Sequence, residues 1–338
     1  MIIILSGSES MNSSQKWLPM ILLTLILGIN GITGCTATDT TETVNSETKK
    51  NDNPEQTNHQ DQLDITVSIV PQEYFVKKIG GDRVRVNVMV EPGAVPATYE
   101  PKPQQLQALS QAEAYIGIGV PFETVWMSRI SQANPKMLTV DSTEGIERLT
   151  MIAHDHGDHE HHDHHDHGGQ ETTLDPHVWL SPRLVKIQAE KIHQTLVKLD
   201  PKHQEIYQTN LNNFLQEIEV LDSQIKDNLA DLKQRKFIVF HPAWGYFAQE
   251  YNLTQVPVEI GGQEPSAAEL AELIKEAKKE KIKVIFAQPE LSSPSAKTIA
   301  KEIKGEVLLI SPLAADWSNN LLEVSQTFAK VLKEEKSQ

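Results

Sequence analysis

The sequence predicts an α/β protein of two halves, each built on a mostly parallel sheet, with long helices between them. Short apolar or alternating runs are separated by helical patterns in both halves of the 338-residue chain, the order that builds parallel sheets. Two long helical patterns follow one another at mid-chain, as a rigid spine between the halves would. The length suffices for two domains with real cores, and 39% hydrophobic with 23% charged residues is ordinary for a soluble fold.

The chain opens on a targeting segment. Residues 17–29 (WLPMILLTLILGI) form an apolar stretch with Lys16 before it and Ile32-Thr33-Gly34-Cys35 after it. Such a stretch is short of the about 20 residues that span a bilayer core, so it reads as a signal peptide. The small residues before Cys35 match a lipoprotein cleavage site, and this is the single cysteine of the chain. Lipidation at Cys35 is therefore expected, no disulfide is available within a monomer, and Met11 competes with Met1 as the start. From 36 to 62 the composition is Thr, Asn, Glu, Gln, Asp and Lys, that of a disordered tether.

The folded body begins with a β-branched strand at 64–70 (DITVSIV) and a helix from Pro71 to about Gly80. Strict alternation at 83–90 (RVRVNVMV) gives a strand that runs into a Pro-rich loop at 91–103. A helix at 104–111, a strand at 114–118, a helix from 120 to about 131 and a strand at 137–140 follow. Ser181-Pro182 reads as the N-cap and first residue of a helix that ends at Asp200-Pro201, and a second helix covers about 202–232. Then come strands at 237–240 (FIVF) and 256–260. Ser266 with Glu269 forms a capping box for a helix at 267–280. A strand at 283–287, a helix at 294–303, a strand at 307–310 and a helix at 321–333 complete the chain. No repeat between the halves is apparent.

Residues 154–167 (HDHGDHEHHDHHDH) are low-complexity: His154, His156, His159, His161, His162, His164, His165 and His167 alternate with Asp, Glu and Gly. With no apolar residue to bury, this segment reads as a solvated loop. Imidazole has a pKa near ~6.5, so most of these rings are neutral metal donors at pH 7. The spacing H-x-H-x-D-H occurs twice in overlapping registers, at 159–164 and 162–167, which marks it as a product of composition rather than a hydrolase motif. His177, in LDPHVWLSP, is different: it follows a Pro turn and precedes apolar residues, as a fixed position would. The formal charge of −15 argues against nucleic acid and anionic membrane surfaces and suits a cationic ligand.

In open α/β sheets, ligands bind beyond the carboxyl ends of strands. Ala97 follows the strand at 83–90, His241 the strand at 237–240 and Asp316 the strand at 307–310, while His177 lies at the junction of the halves. These four segments can converge on one cleft. Alone, each residue has an ordinary role, a hydrogen-bonded loop histidine or, for Asp316, a helix cap.

The motifs DPHVWLSP, FHPAWGYFA, LAADW and EPG-x-x-P-x-x-YEP, with the long helices, resemble the metal-binding component of bacterial ABC transporters for zinc or manganese, most closely the zinc (ZnuA-type) branch with its His-rich loop. The resemblance covers about residue 64 to the C-terminus, plus the leader. It implies two α/β lobes joined by a long spine helix with a metal cleft between them: leader 1–35, tether 36–62, N-terminal lobe 63–180 including the loop at 153–170, spine 181–200 and C-terminal lobe 201–338. It implies Zn²⁺ held by His177, His241 and Asp316, a permease partner and a monomer lipid-anchored outside the cytoplasmic membrane.

The family has His where this chain has Ala97, leaving a position that Glu91, Glu100 or a loop imidazole would fill. Gln288 replaces an acidic residue common in the family and is expected to tune the surroundings of the metal. Two imidazoles and a carboxylate suit tetrahedral Zn²⁺. The expected function is capture rather than catalysis, with the loop as a weak collector. The rival readings are a manganese carrier, an adhesin or metal store, and a zinc hydrolase with an open coordination position. The last lacks an H-E-x-x-H or comparable motif.

Overall fold

The computed structural model describes residues 62–151, 174–291 and 294–333. The expectations for the leader, Cys35 and His154 to His167 lie outside these residues. Everything described belongs to one compact unit, 57–338.

The N-terminal sheet holds β1 (Leu63–Val67), β2 (Val84–Val88), β3 (Ala114–Gly117) and β4 (Leu138–Asp141) in the order β2-β1-β3-β4. The C-terminal sheet holds β5 (Lys236–Val239), β6 (Thr254–Pro257), β7 (Val284–Ala287) and β8 (Glu306–Leu309) in the order β6-β5-β7-β8. All these pairings are parallel. The two sheets thus share one topology that the sequence does not display as a repeat. In each, the strand order reverses between the first and third strands, which opens a crevice at their carboxyl ends. β3 and β7 are buried along their whole length, as inner strands flanked by helices must be.

Around the first sheet lie α1 (Val70–Gly80), α2 (Pro103–Gln111) and α3 (Pro121–Ala133); around the second lie α6 (Gly245–Glu250), α7 (Ala267–Lys279), α8 (Pro294–Glu302) and α9 (Trp317–Lys333). The spine is a pair, α4 (Pro182–Leu199) and α5 (Gln204–Leu229). On α5 the buried residues Tyr207, Leu211, Phe214, Ile218, Leu221 and Ile225 repeat at three- and four-residue spacing. That stripe lets α5 pack against α1, α4 and α9. One apolar core therefore runs from the N-terminal sheet through the spine to one face of the second sheet, and a separate cluster lies beneath α7 and α8.

Local signals set the helix starts. Ser181 Oγ accepts from Leu184 N (3.2 Å) with Pro182 in the first turn, and Ser266 with Glu269 forms the expected box. α9 begins four residues earlier than its periodicity suggests, because Asp316 caps it: Asn319 N donates to Asp316 Oδ1 at 3.3 Å. The strand expected at 83–90 ends at Val88, yet Met89 N and Val90 N still donate to Val67 O and Ser68 O. No helix of the described residues is long and apolar enough to cross a membrane.

Ser181 is also hydrogen-bonded to Glu250, whose carboxyl pKa is raised by burial. Ser181→Ala removes the cap at the start of the spine and should cost about 1 kcal/mol. Thermal unfolding of the metal-free protein should fall by roughly 2–4 °C. An unchanged midpoint would show that the cap carries no stability.

Candidate metal centre

His177 and His241 arrive from different directions and meet. Asp175-Pro176 turns the chain so that Asp175 Oδ1 accepts from His177 N at 2.9 Å. Beyond His177, Val178, Trp179 and Leu180 form a buried 3₁₀ turn. The Trp179 indole donates to Pro312 O and the Trp317 indole donates to Trp179 O, both at 2.6 Å. His177 is accordingly rigid, as its surroundings in the sequence suggest. His241 lies just beyond the carboxyl end of β5, where an open α/β sheet presents its ligand site.

A carboxylate holds each ring from behind. Asp175 Oδ1 lies 2.7 Å from His177 Nδ1, and Glu259 Oε2 lies 2.6 Å from His241 Nδ1. Strand register explains the second contact. β5 and β6 pair with Val239 opposite Pro257, and two steps further on His241 falls opposite Glu259. Ionised carboxylates only accept hydrogen bonds, so each Nδ1 carries a proton, and a ring in its neutral form then turns a bare Nε2 lone pair forward. The two Nε2 atoms face each other at 3.4 Å, with ring planes 72° apart.

Two lone pairs at that distance repel unless a proton or a cation lies between them. Two nitrogen ligands of a tetrahedral Zn²⁺, each about 2.0–2.1 Å from the metal, are about 3.3–3.4 Å apart. The pair thus has the spacing of half a zinc coordination shell. Carboxylate-to-imidazole contacts of this kind are the usual outer support of a metal ligand, fixing its tautomer and raising its basicity.

Other expected residues are placed differently. Among the described residues, no group of three or more His, Cys, Asp or Glu side chains stands ready to hold a metal. Asp316 is exposed at the start of α9 in its capping role, so the expected set is drawn together only in its two imidazoles. Ala97 and Glu100 are exposed on the loop after β2, and Glu91 is paired with Lys102 at 2.5 Å. Gln288 is buried just past β7, and its Nε2 has no hydrogen-bond partner among the described residues.

Sequence reasoning missed both supporting carboxylates. The D-x-H spacing of Asp175 and His177 offered a local signal. Glu259 has none, being 18 positions from His241 and joined to it only through β5–β6 register. Gly245 was missed as well: a Cβ there would lie 2.8 Å from Asp175 Oδ2, so glycine leaves room for that carboxylate.

Fold and site together define a class: a two-lobed α/β protein of parallel sheets in which a facing pair of imidazoles lies beyond the carboxyl end of β5. The chain belongs to the family described as zinc-uptake complex component A, periplasmic, which it matches over residues 65–335. It is 33% identical over 254 residues to the high-affinity zinc uptake system protein ZnuA of Bacillus subtilis, covering 73% of this chain and 78% of that one. It is 31% identical over 258 residues to the zinc-binding protein AdcA of Streptococcus pyogenes, covering 74% of this chain; the match spans only 50% of AdcA's own length. Among solved structures, a zinc-bound ZnuA deletion mutant superimposes with a TM-score of 0.74 at 48% identity, covering 81% of this chain and 100% of that one.

Burial holds the His177 pKa below the ordinary imidazole value, against the opposing pull of Asp175. A depressed histidine pKa means that the folded state resists a proton which the unfolded chain accepts. Stability of the metal-free protein is therefore full above about 6.5 and declines as pH falls from there toward the lowered value. Denaturant unfolding of the metal-free protein across that window checks this; stability that rises as pH falls through it would contradict the assignment.

Proposed function

We propose that this protein captures Zn²⁺ outside the cytoplasmic membrane and delivers it to the permease of an ABC transporter. The observation that carries the reading is the facing Nε2 pair of His177 and His241, each ring held at Nδ1 by its own carboxylate. Zinc is the cargo, and two imidazoles with an oxygen donor suit its borderline-soft character better than that of manganese. Family membership and the zinc uptake named for the Bacillus relative point the same way.

Asp316 is the proposed oxygen ligand. It precedes Trp317, whose indole is bound to Trp179 O, two residues past His177, and its capping bond is a long 3.3 Å. Where the family has a further His, this chain has Ala97, and a water or a loop imidazole completes the shell. The eight histidines between 154 and 167 collect zinc weakly and raise its concentration near the centre. Acylated Cys35 holds the monomer to the membrane through the tether.

Capture fits better than catalysis. The carboxylates nearest the pair, Asp175 and Glu259, are both spent on imidazole Nδ1 atoms, which leaves neither as a general base for a zinc-bound water.

Isothermal titration should find one tight site and several weak ones. His177→Ala, His241→Ala and Asp316→Ala should each weaken the tight site by more than the roughly 10–100-fold that loss of an outer-sphere partner costs. Deleting 153–170 should remove the weak sites and leave the tight one. Tight binding that survives either histidine substitution contradicts the proposed site.

A further inference from the structure

The short run from His241 to Tyr246 contributes more than one ligand. α6 begins at Gly245, four residues past His241, and its Tyr246 side chain reaches Leu149 and Asp175. There the phenol hydroxyl accepts from Leu149 N and donates to Asp175 O, both at 2.9 Å. Asp175 N donates to Leu149 O at 2.7 Å, and Thr150 pairs with Leu174 as an antiparallel bridge. Tyr246 is 3% exposed, and burial raises its phenol pKa, so it remains a protonated donor at neutral pH.

A tyrosine that joins two backbone groups at a loop base is ordinarily a staple. Here one of those groups belongs to Asp175, whose carboxylate sets the tautomer and direction of the His177 ring. The Asp175 backbone is held at its N–H by Leu149 and at its C=O by Tyr246, so its side chain has little freedom to swing. The bare neighbour Gly245 lets Oδ2 approach where a Cβ would stand 2.8 Å away. A cavity of about 220 Å³, lined in part by Thr150, Asp175, Gly245 and Gln255, adjoins this contact. If the hydroxyl is lost, Asp175 has space into which it can relax.

We infer that Tyr246 is a positioning residue for the metal centre: through Asp175 it fixes His177 in the Nδ1–H tautomer, so that one segment of the C-terminal lobe supplies the ligand His241 and sets the geometry of the other ligand. This rests on the zinc reading above. It predicts that the two imidazoles are prepared together, because the run 241–246 carries both His241 and the hydroxyl that supports His177 through Asp175.

The test is Tyr246→Phe in the full chain, which keeps the ring and removes only the hydroxyl. Two readouts are compared with the parent: zinc affinity by competition with a chromophoric chelator, and the His177 tautomer in the metal-free protein by ¹⁵N long-range NMR at mildly alkaline pH. The His177 signals are assigned from a His177→Gln spectrum. The expected result is zinc binding weakened by roughly tenfold together with a mixed population of His177 tautomers. Added to Asp175→Asn, the tyrosine substitution should cause little further loss, since both act through one ring. A general loss of stability would lower the melting midpoint without changing the tautomer.

Gly245→Ala is the companion variant should Tyr246→Phe fail to fold. It crowds Asp175 Oδ2 while leaving the hydroxyl in place, and the same paired change is expected. Either change without the other overturns the inference, as does the absence of both. If His177→Ala binds zinc as tightly as the parent, the metal-centre reading fails and takes this inference with it. If His177→Ala loses zinc while Tyr246→Phe changes neither readout, only the clamp is wrong.

Discussion

The rest of the site depends on two carboxylates placed behind two imidazoles. Asp175 and Glu259 each accept a hydrogen bond from an Nδ1–H, and this turns both Nε2 lone pairs toward the same point, 3.4 Å apart. Without a cation that arrangement is electrostatically unfavourable, and it is partly buried: the His177 side chain is 10% exposed and that of His241 25%. The fold opposes the repulsion by rigid attachment. His177 lies between an Asp turn and a turn anchored by two tryptophan indoles, and His241 sits at the end of an inner strand. A site prepared this way has already met part of the ordering cost of binding.

The architecture explains how residues far apart in the chain come to share this point. Parallel order with a reversal between first and third strands directs loops from several strands into one crevice, in both sheets. A spine built from α4 and α5, with a core continuous from α1 to α9, ties the crevices together. Continuous packing of this kind transmits a displacement in one element to its neighbours. The bonds from the Trp179 indole to Pro312 O and from the Trp317 indole to Trp179 O join the His177 turn to the start of α9, which is where Asp316 stands.

Much of this was legible in the sequence because the signals are local. The caps at Ser181 and Ser266, the apolar stripe of α5 and the run FIVF before His241 each act within a few residues, and the structure follows them. The short α6 was not recognised, since a six-residue helix of Gly, Tyr, Phe, Ala, Gln and Glu offers too few turns for a period. The common topology of the sheets was hidden because topology follows from connection lengths and chain handedness rather than from repeated side chains. Glu259 was out of reach without the β5–β6 register, and Tyr246 without the pairing of residues 149–151 with 174–175. The capping role of Asp316, by contrast, was an ordinary reading of its position before a helix, and the structure bears it out.

The measurement that bears most directly on the paired-imidazole centre is anomalous scattering from a zinc-soaked crystal, with data collected on both sides of the zinc edge. A single strong peak about 2.0–2.1 Å from Nε2 of both His177 and His241, with Asp175 and Glu259 still on the Nδ1 atoms, is the predicted result. A zinc peak that lies elsewhere, or that is bound by only one of these rings, would contradict the account.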